Sequence, residues 1–170
     1  MLRRQMDEIL LDLVKDYVKE IEGHGGRYWR RDATLVVLMA GLGEPVNVFQ
    51  TLTVAEAQDK LARTKTEIAR FGLKYLEGLV AEQGLQPLDF VFRSRKGRGT
   101  TPITRVSLWR MVEGVLGRDL SSIRKTALMA KPSEKDIRTH PKELEEDSLR
   151  GKFARVMVER YANFLWEPDI

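Results

Sequence analysis

Apolar residues recur every three or four positions along most of this chain, with charged residues between them, and that period predicts helices. Leu2, Met6, Ile9, Leu10, Leu13, Tyr17 and Ile21 mark an amphipathic N-terminal helix over 1–22, stopped by Gly23, Gly25 and Gly26. The apolar run Ala33–Leu42 predicts a buried helix capped by Asp32 and ended by Gly41, Gly43 and Pro45. Thr53 and Glu56 have the spacing of a capping box. After them Ala57, Leu61, Thr64, Ile68, Phe71 and Tyr75 predict one long helix to about Glu82, with Gly72 and Gly78 as weak points and Gly84 and Pro87 as its close. Leu88–Phe92 reads as a short strand or a buried turn. Thr104 opens a helix that runs through Leu116, buries Leu108, Met111, Val112 and Val115, and ends at Gly117. Ser121 or Ser122 caps another to about Ala130, and Leu149, Phe153, Val156, Met157, Phe164 and Leu165 define a C-terminal helix over 148–166. The expected class is therefore mainly α, a single compact helical domain over 1–170, with an acidic linker at 131–147.

Composition narrows the chemistry. The chain is 42% hydrophobic, enough for a core, and its lack of cysteine excludes disulfides and thiolate metal sites. His24 and His140 are far apart in sequence and have no ligand-spaced partner, so neither a metal nor a cofactor is expected. No apolar run approaches the roughly 20 residues needed to span a bilayer. Residues 1–22 carry acids throughout and do not suit a signal peptide, so no membrane contact and a cytoplasmic location are expected.

Charge is the sharper signal. The stretch Arg93–Lys131 holds ten cations against Glu113 and Asp119, a net +8 where the whole chain carries +4. The remainder is therefore net acidic, and a positive field this localised attracts polyanions, with nucleic-acid phosphate first among them. Arg95, Lys96 and Arg98 lie in the Gly-rich segment SRKGRGTTP, whose glycines permit close backbone approach. Arg93, Arg105, Arg110, Arg124, Lys125 and Lys131 complete the candidate nucleic-acid-binding set. A second cluster, Arg27-Tyr28-Trp29-Arg30-Arg31, could add phosphate contacts and stacking. The same residues fit a plainer arrangement, with the aromatics beginning a buried helix and the arginines in water. Trp109 reads as core. Helix, Gly117 turn and helix from Thr104 to Ala130 also have the outline of a helix-turn-helix. Glu143, Glu145, Glu146 and Asp147 read as a solvated acidic run that could compete for the basic surface.

Several segments, taken in order, resemble the catalytic domain of tyrosine recombinases (phage integrases). RDATLVVLMAGLGEPVNVFQTLTV resembles that family's buried helix and Thr-Gly-Leu-Arg motif. DFVFRSRKGRGTTPITRVSLWRMVEGVLG resembles its basic stretch, and SSIRKT its His-Ser-Leu-Arg box. LRGKFARVMVERYANF resembles the segment bearing the tyrosine nucleophile, with Lys152 and Tyr161 nine residues apart as that motif usually has them. The resemblance spans roughly residues 28–166 and implies a recombinase-like fold, here with its β-hairpins reduced or lost. It also implies which catalytic positions are missing. Gly43 stands where the family has its first arginine, Ser121 where it has a histidine, and Lys152 where it has histidine or tryptophan. Only Arg124 and Tyr161 remain, as vestiges. One lost donor in such a site costs about 10²–10³ in rate, so no strand cleavage and no enzyme activity are expected.

The expectation is thus an accessory, regulatory or architectural DNA-binding protein of a phage, plasmid or other mobile genetic element, with duplex favoured over single-stranded DNA. Two others stand beside it. One is a helical protein-interaction factor, an inhibitor or assembly partner, docking or dimerising through helix 1–22 or the 54–82 helix. The other is an active recombinase using Tyr161.

Overall fold

The computed structural model describes residues 3–94, 101–117 and 148–160, and it is mainly helical. The helices are α1 (Arg3–His24), α2 (Trp29–Leu42), α3 (Val54–Thr64), α4 (Glu67–Gln83), α5 (Arg105–Leu116) and α6 (Leu149–Arg160). A 3-10 turn, Val46–Gln50, joins α2 to α3. Among the described residues there is no β-strand beyond two isolated bridges.

α2 is the centre because its charges are confined to its first turn. Every residue from Ala33 to Gly41 is buried, against α1, α3, α4 and α5. Thr34 is the polar member of that run, and its hydroxyl donates to the Arg30 carbonyl at 2.7 Å, which satisfies it inside the helix. The helix begins at Trp29 rather than at Ala33. Tyr28 holds the capping position, and the Asp32 amide already donates to the Tyr28 carbonyl at 3.1 Å, so Asp32 lies within the first turn and does not cap it. Arginines are good helix formers, and nothing between Trp29 and Asp32 resists the helical turn. Gly41 does not end the helix either. A Cβ there would sit 3.4 Å from Leu61 Cδ2, so Gly41 is a close-packing position, and the end falls at left-handed Gly43 (φ 61°).

The single long helix expected over 54–82 is two helices, and the break is at neither glycine. Thr53 and Glu56 form the expected capping box at the start of α3. Lys65 then turns left-handed (φ 55°), and the Thr66 hydroxyl accepts from the Ala69 amide at 3.1 Å, restarting the chain as α4. Gly72, one of the expected weak points, is buried where a Cβ would be 3.4 Å from Leu61 Cδ2 and 3.7 Å from the Val37 carbonyl oxygen. It lets α4 approach α2 closely. Gly84 (φ 63°) closes α4 as expected.

Leu88–Phe92 forms neither a strand nor a buried turn throughout. Thr53 bridges Phe90, Arg93 bridges Pro102, and Leu88 is 83% exposed while Val91 and Phe92 are buried. Ile103 N donates to the Phe92 carbonyl and Ser94 N to the Thr101 carbonyl, both at 3.1 Å, so residues 92–94 and 101–103 are held side by side as a hydrogen-bonded neck. Phe92 anchors that neck in the core beside Phe49, their ring centroids 6.4 Å apart. Thr104 caps α5 through the Ser107 amide, as its position predicts. Ser148 Oγ accepts from the Gly151 amide at 3.0 Å at the start of α6.

α1 buries Leu10, Val14, Tyr17 and Val18 and leaves Asp12, Lys15, Asp16, Lys19 and Glu20 exposed. Its Tyr17 hydroxyl donates to the Val115 carbonyl of α5 at 2.6 Å, and its ring tilts onto Phe153 of α6 at 5.5 Å. Burial pushes the Tyr17 phenol well above its usual range. One side chain thus ties three helices. Tyr17→Phe leaves a buried carbonyl short of a donor, and we expect a loss of about 1–3 kcal/mol. Urea denaturation should show a lowered midpoint with unchanged slope.

Candidate nucleic-acid interface

The face of α5 opposite Trp109 carries Ser107, Arg110, Met111 and Gly114, spaced three, four and seven residues apart. These side chains line one wall of an open groove of about 510 Å³. Arg93, Ser94 and Ile103 from the neck and Arg31 and Asp32 from the first turn of α2 line the rest. Three arginines from three separate segments, 31, 93 and 110, therefore meet at one concavity. Arg110 is exposed, and Arg93 and Arg31 are half-buried. Ser107 and Thr104 add hydroxyls joined by a 2.9 Å hydrogen bond.

Within the groove Arg31 is engaged by Asp32, Nη2 to Oδ1 at 3.2 Å. Burial raises the Asp32 carboxyl above its ordinary range, against the lowering effect of the adjacent Arg31 guanidinium. A carboxylate that is costly to keep charged holds one of the three cations. Arg93 is steadied by Gln83, its Nη2 donating to Oε1 at 3.3 Å.

The sequence-derived set divides. Arg93 and Arg110 reach the groove, as does Arg31 of the aromatic cluster. Arg105 does not: on the other face of α5 it lines a small hollow with Asn47, Gln50 and half-buried Trp109. Arg95, Lys96, Arg98, Arg124, Lys125, Lys131 and Tyr161 lie outside the described residues, as do Ser121, the second helix of the helix-turn-helix outline and the acidic linker at 131–147. Ser94, which directly precedes Arg95 in the sequence, is itself a lining residue of the groove.

The aromatic cluster follows the plainer arrangement in part. Trp29 opens α2, Arg30 lies over its ring at 4.5 Å, and Arg31 lies over Tyr28 at 4.7 Å. Arg30 is also tied to Glu82 at 2.6 Å. Gly43, where the recombinase arginine would stand, is at the far end of α2 from Arg31, about 18 Å along the axis at 1.5 Å per residue. Asp32, Thr104 and Ser107 were not legible as groove residues, because each carries a local capping or turn signal and nothing that points across the fold; Ser94 belongs to the Gly-rich segment already singled out.

Large apolar side chains exposed among the described residues are Ile9, Leu88 and Val106, on three separate segments, so they form no continuous exposed stripe. Among the described residues no helix is long and apolar enough to cross a membrane, and no cluster of His, Asp or Glu is placed to hold a metal ion. No protein-family model, curated protein or solved structure matches this chain.

Proposed function

We propose that this protein grips duplex DNA through the groove between α2, the neck formed by residues 92–94 and 101–103, and α5, without cleaving it. The observation that carries the reading is the convergence of Arg31, Arg93 and Arg110 on one open concavity, with hydroxyl donors beside them. Guanidinium groups fixed on packed elements suit phosphate oxygens, which set position and carry no sequence information. Arg95, Lys96 and Arg98, reached through the same neck, would extend the grip.

The resemblance to tyrosine recombinases supplies the setting, an accessory or architectural factor of a phage, plasmid or other mobile element, with a recombinase-like fold whose hairpins are reduced. That family carries a hairpin with a catalytic lysine between its first arginine and its basic stretch, and here α3 and α4 occupy most of that interval. Gly43, Ser121 and Lys152 argue for binding without chemistry.

Duplex binding measured at two salt concentrations tests the reading. Affinity should fall steeply as salt rises, because each neutralised phosphate releases condensed counterions. Absent or salt-insensitive binding rejects it. Asp32 gives an independent check. Asp32→Asn frees Arg31 from its carboxylate and should tighten binding about fivefold, the weight of a partly exposed ion pair. In the native protein the same gain should develop as pH falls and the raised Asp32 carboxyl takes up its proton. In Asp32→Asn that part of the pH dependence should vanish.

A further inference from the structure

Arg30 and Arg31 are neighbours in sequence but line different concavities. Arg31 faces the groove described above, and Arg30 lines an open hollow of about 470 Å³ between α1, the start of α2 and α4. Three residues of α1 form one wall: Lys15, Lys19 and Glu22, spaced four and three apart on a single face. Phe71, Lys74 and Tyr75 of α4 form the other, and Trp29 and Arg30 close it. The lysines are exposed and the three aromatic rings are half-buried. Four cations therefore surround an aromatic floor, with Glu22 as the acid among the lining residues.

The floor is held rigid. Phe71 and Tyr75 meet edge to face with centroids 5.1 Å apart, and the Lys15 ammonium sits 5.8 Å from the Phe71 centroid. Arg30 is fixed between the Trp29 ring and Glu82, and it crosses α4 at Gly78, where a Cβ would fall 2.5 Å from its Nη1. A small residue at 78 leaves room for that guanidinium.

We propose that this hollow is a second nucleic-acid contact, one that takes an unpaired nucleotide: its base stacked on the aromatic floor and its phosphates held by Lys15, Lys19 and Lys74. Charge complementarity and ring geometry both favour this occupant. A duplex keeps its bases stacked inside and offers such a hollow phosphate alone, whereas a single strand presents a π-face and a phosphate together. An acidic peptide would satisfy the lysines but make no particular use of the three aromatic rings that line the hollow. The site shares no residue with the Arg31 groove and stands or falls separately from it.

The test compares a fluorescent oligothymidylate with an abasic phosphodiester strand of equal length, using the full chain and anisotropy. The native protein should prefer the base-bearing strand about tenfold, the weight of one stacked base. Phe71→Leu with Tyr75→Leu, which keeps most of the apolar volume and leaves Trp29 in place, should reduce the preference severalfold and spare abasic binding. Lys19→Glu with Lys74→Glu, at exposed positions, should weaken both strands. Arg93→Ala with Arg110→Ala should leave the preference intact. Irradiating the native protein with bromodeoxyuridine-substituted strand should crosslink Trp29, Phe71 or Tyr75. Equal affinity for the two strands, an equally strong acidic peptide, or crosslinks lying wholly elsewhere overturns the proposal.

Discussion

Arg93→Ala combined with Arg110→Ala is expected to weaken duplex binding at least about a hundredfold at moderate salt. Each charge-assisted hydrogen bond to phosphate is worth about 1.5–3 kcal/mol, and the two residues enter the groove from different elements. The slope of log affinity against log salt should shrink by about two, one for each lost phosphate contact. Fold is not at stake. Arg110 is exposed, and the link from Arg93 to Gln83 is a long 3.3 Å hydrogen bond near the surface. Anisotropy titrations over a salt series, with thermal melts to confirm folding, measure both quantities. A double variant that binds like the native protein would remove the groove from the interface.

Phe92→Ala is expected to cost about 3–5 kcal/mol, the usual range for removing a buried phenylalanine. A domain stable by about 5–15 kcal/mol cannot absorb that loss unnoticed, and a fall in Tm of roughly 10 °C is expected. Phe92 is 1% exposed, packs on Phe49, and accepts the Ile103 amide on its carbonyl. It precedes Arg93 directly, so the groove rests on the core through this ring. Phe92→Leu, which keeps most of the apolar volume, should recover much of the stability and with it the binding. Calorimetry of both variants separates a packing loss from a local change at the groove.

The two substitutions differ in how far the chain alone reveals them. Phe92 ends an apolar run, and its burial agrees with the hydrophobic pattern, yet Leu88 in the same run is exposed. A five-residue apolar stretch does not say which of its side chains meet the core, because that depends on where Thr53 and Pro102 bridge it. Arg93 and Arg110 were legible as charge, but their meeting with Arg31 was not. The periodicity of α1, the Thr53 capping box, the Gly84 stop and the Thr104 start were all readable, since each rests on contacts within four residues. The break at Lys65 and Thr66 was missed because the apolar stripe continues across it.

Local chemistry along the chain was therefore sufficient for the helical class, most helix ends and the identity of the cationic block, since propensity, capping and charge act over one or two turns. Packing alone decided which cations face one another. It buried α2 around Gly41 and Gly72, turned Arg30 and Arg31 into separate concavities, and set Arg105 on the far side of α5 from Arg110. It also left Phe71 and Tyr75, members of an apparent core stripe, half-open beneath a rim of lysines. Helical period assigns a residue to a face, but only the neighbouring helix determines whether that face is covered.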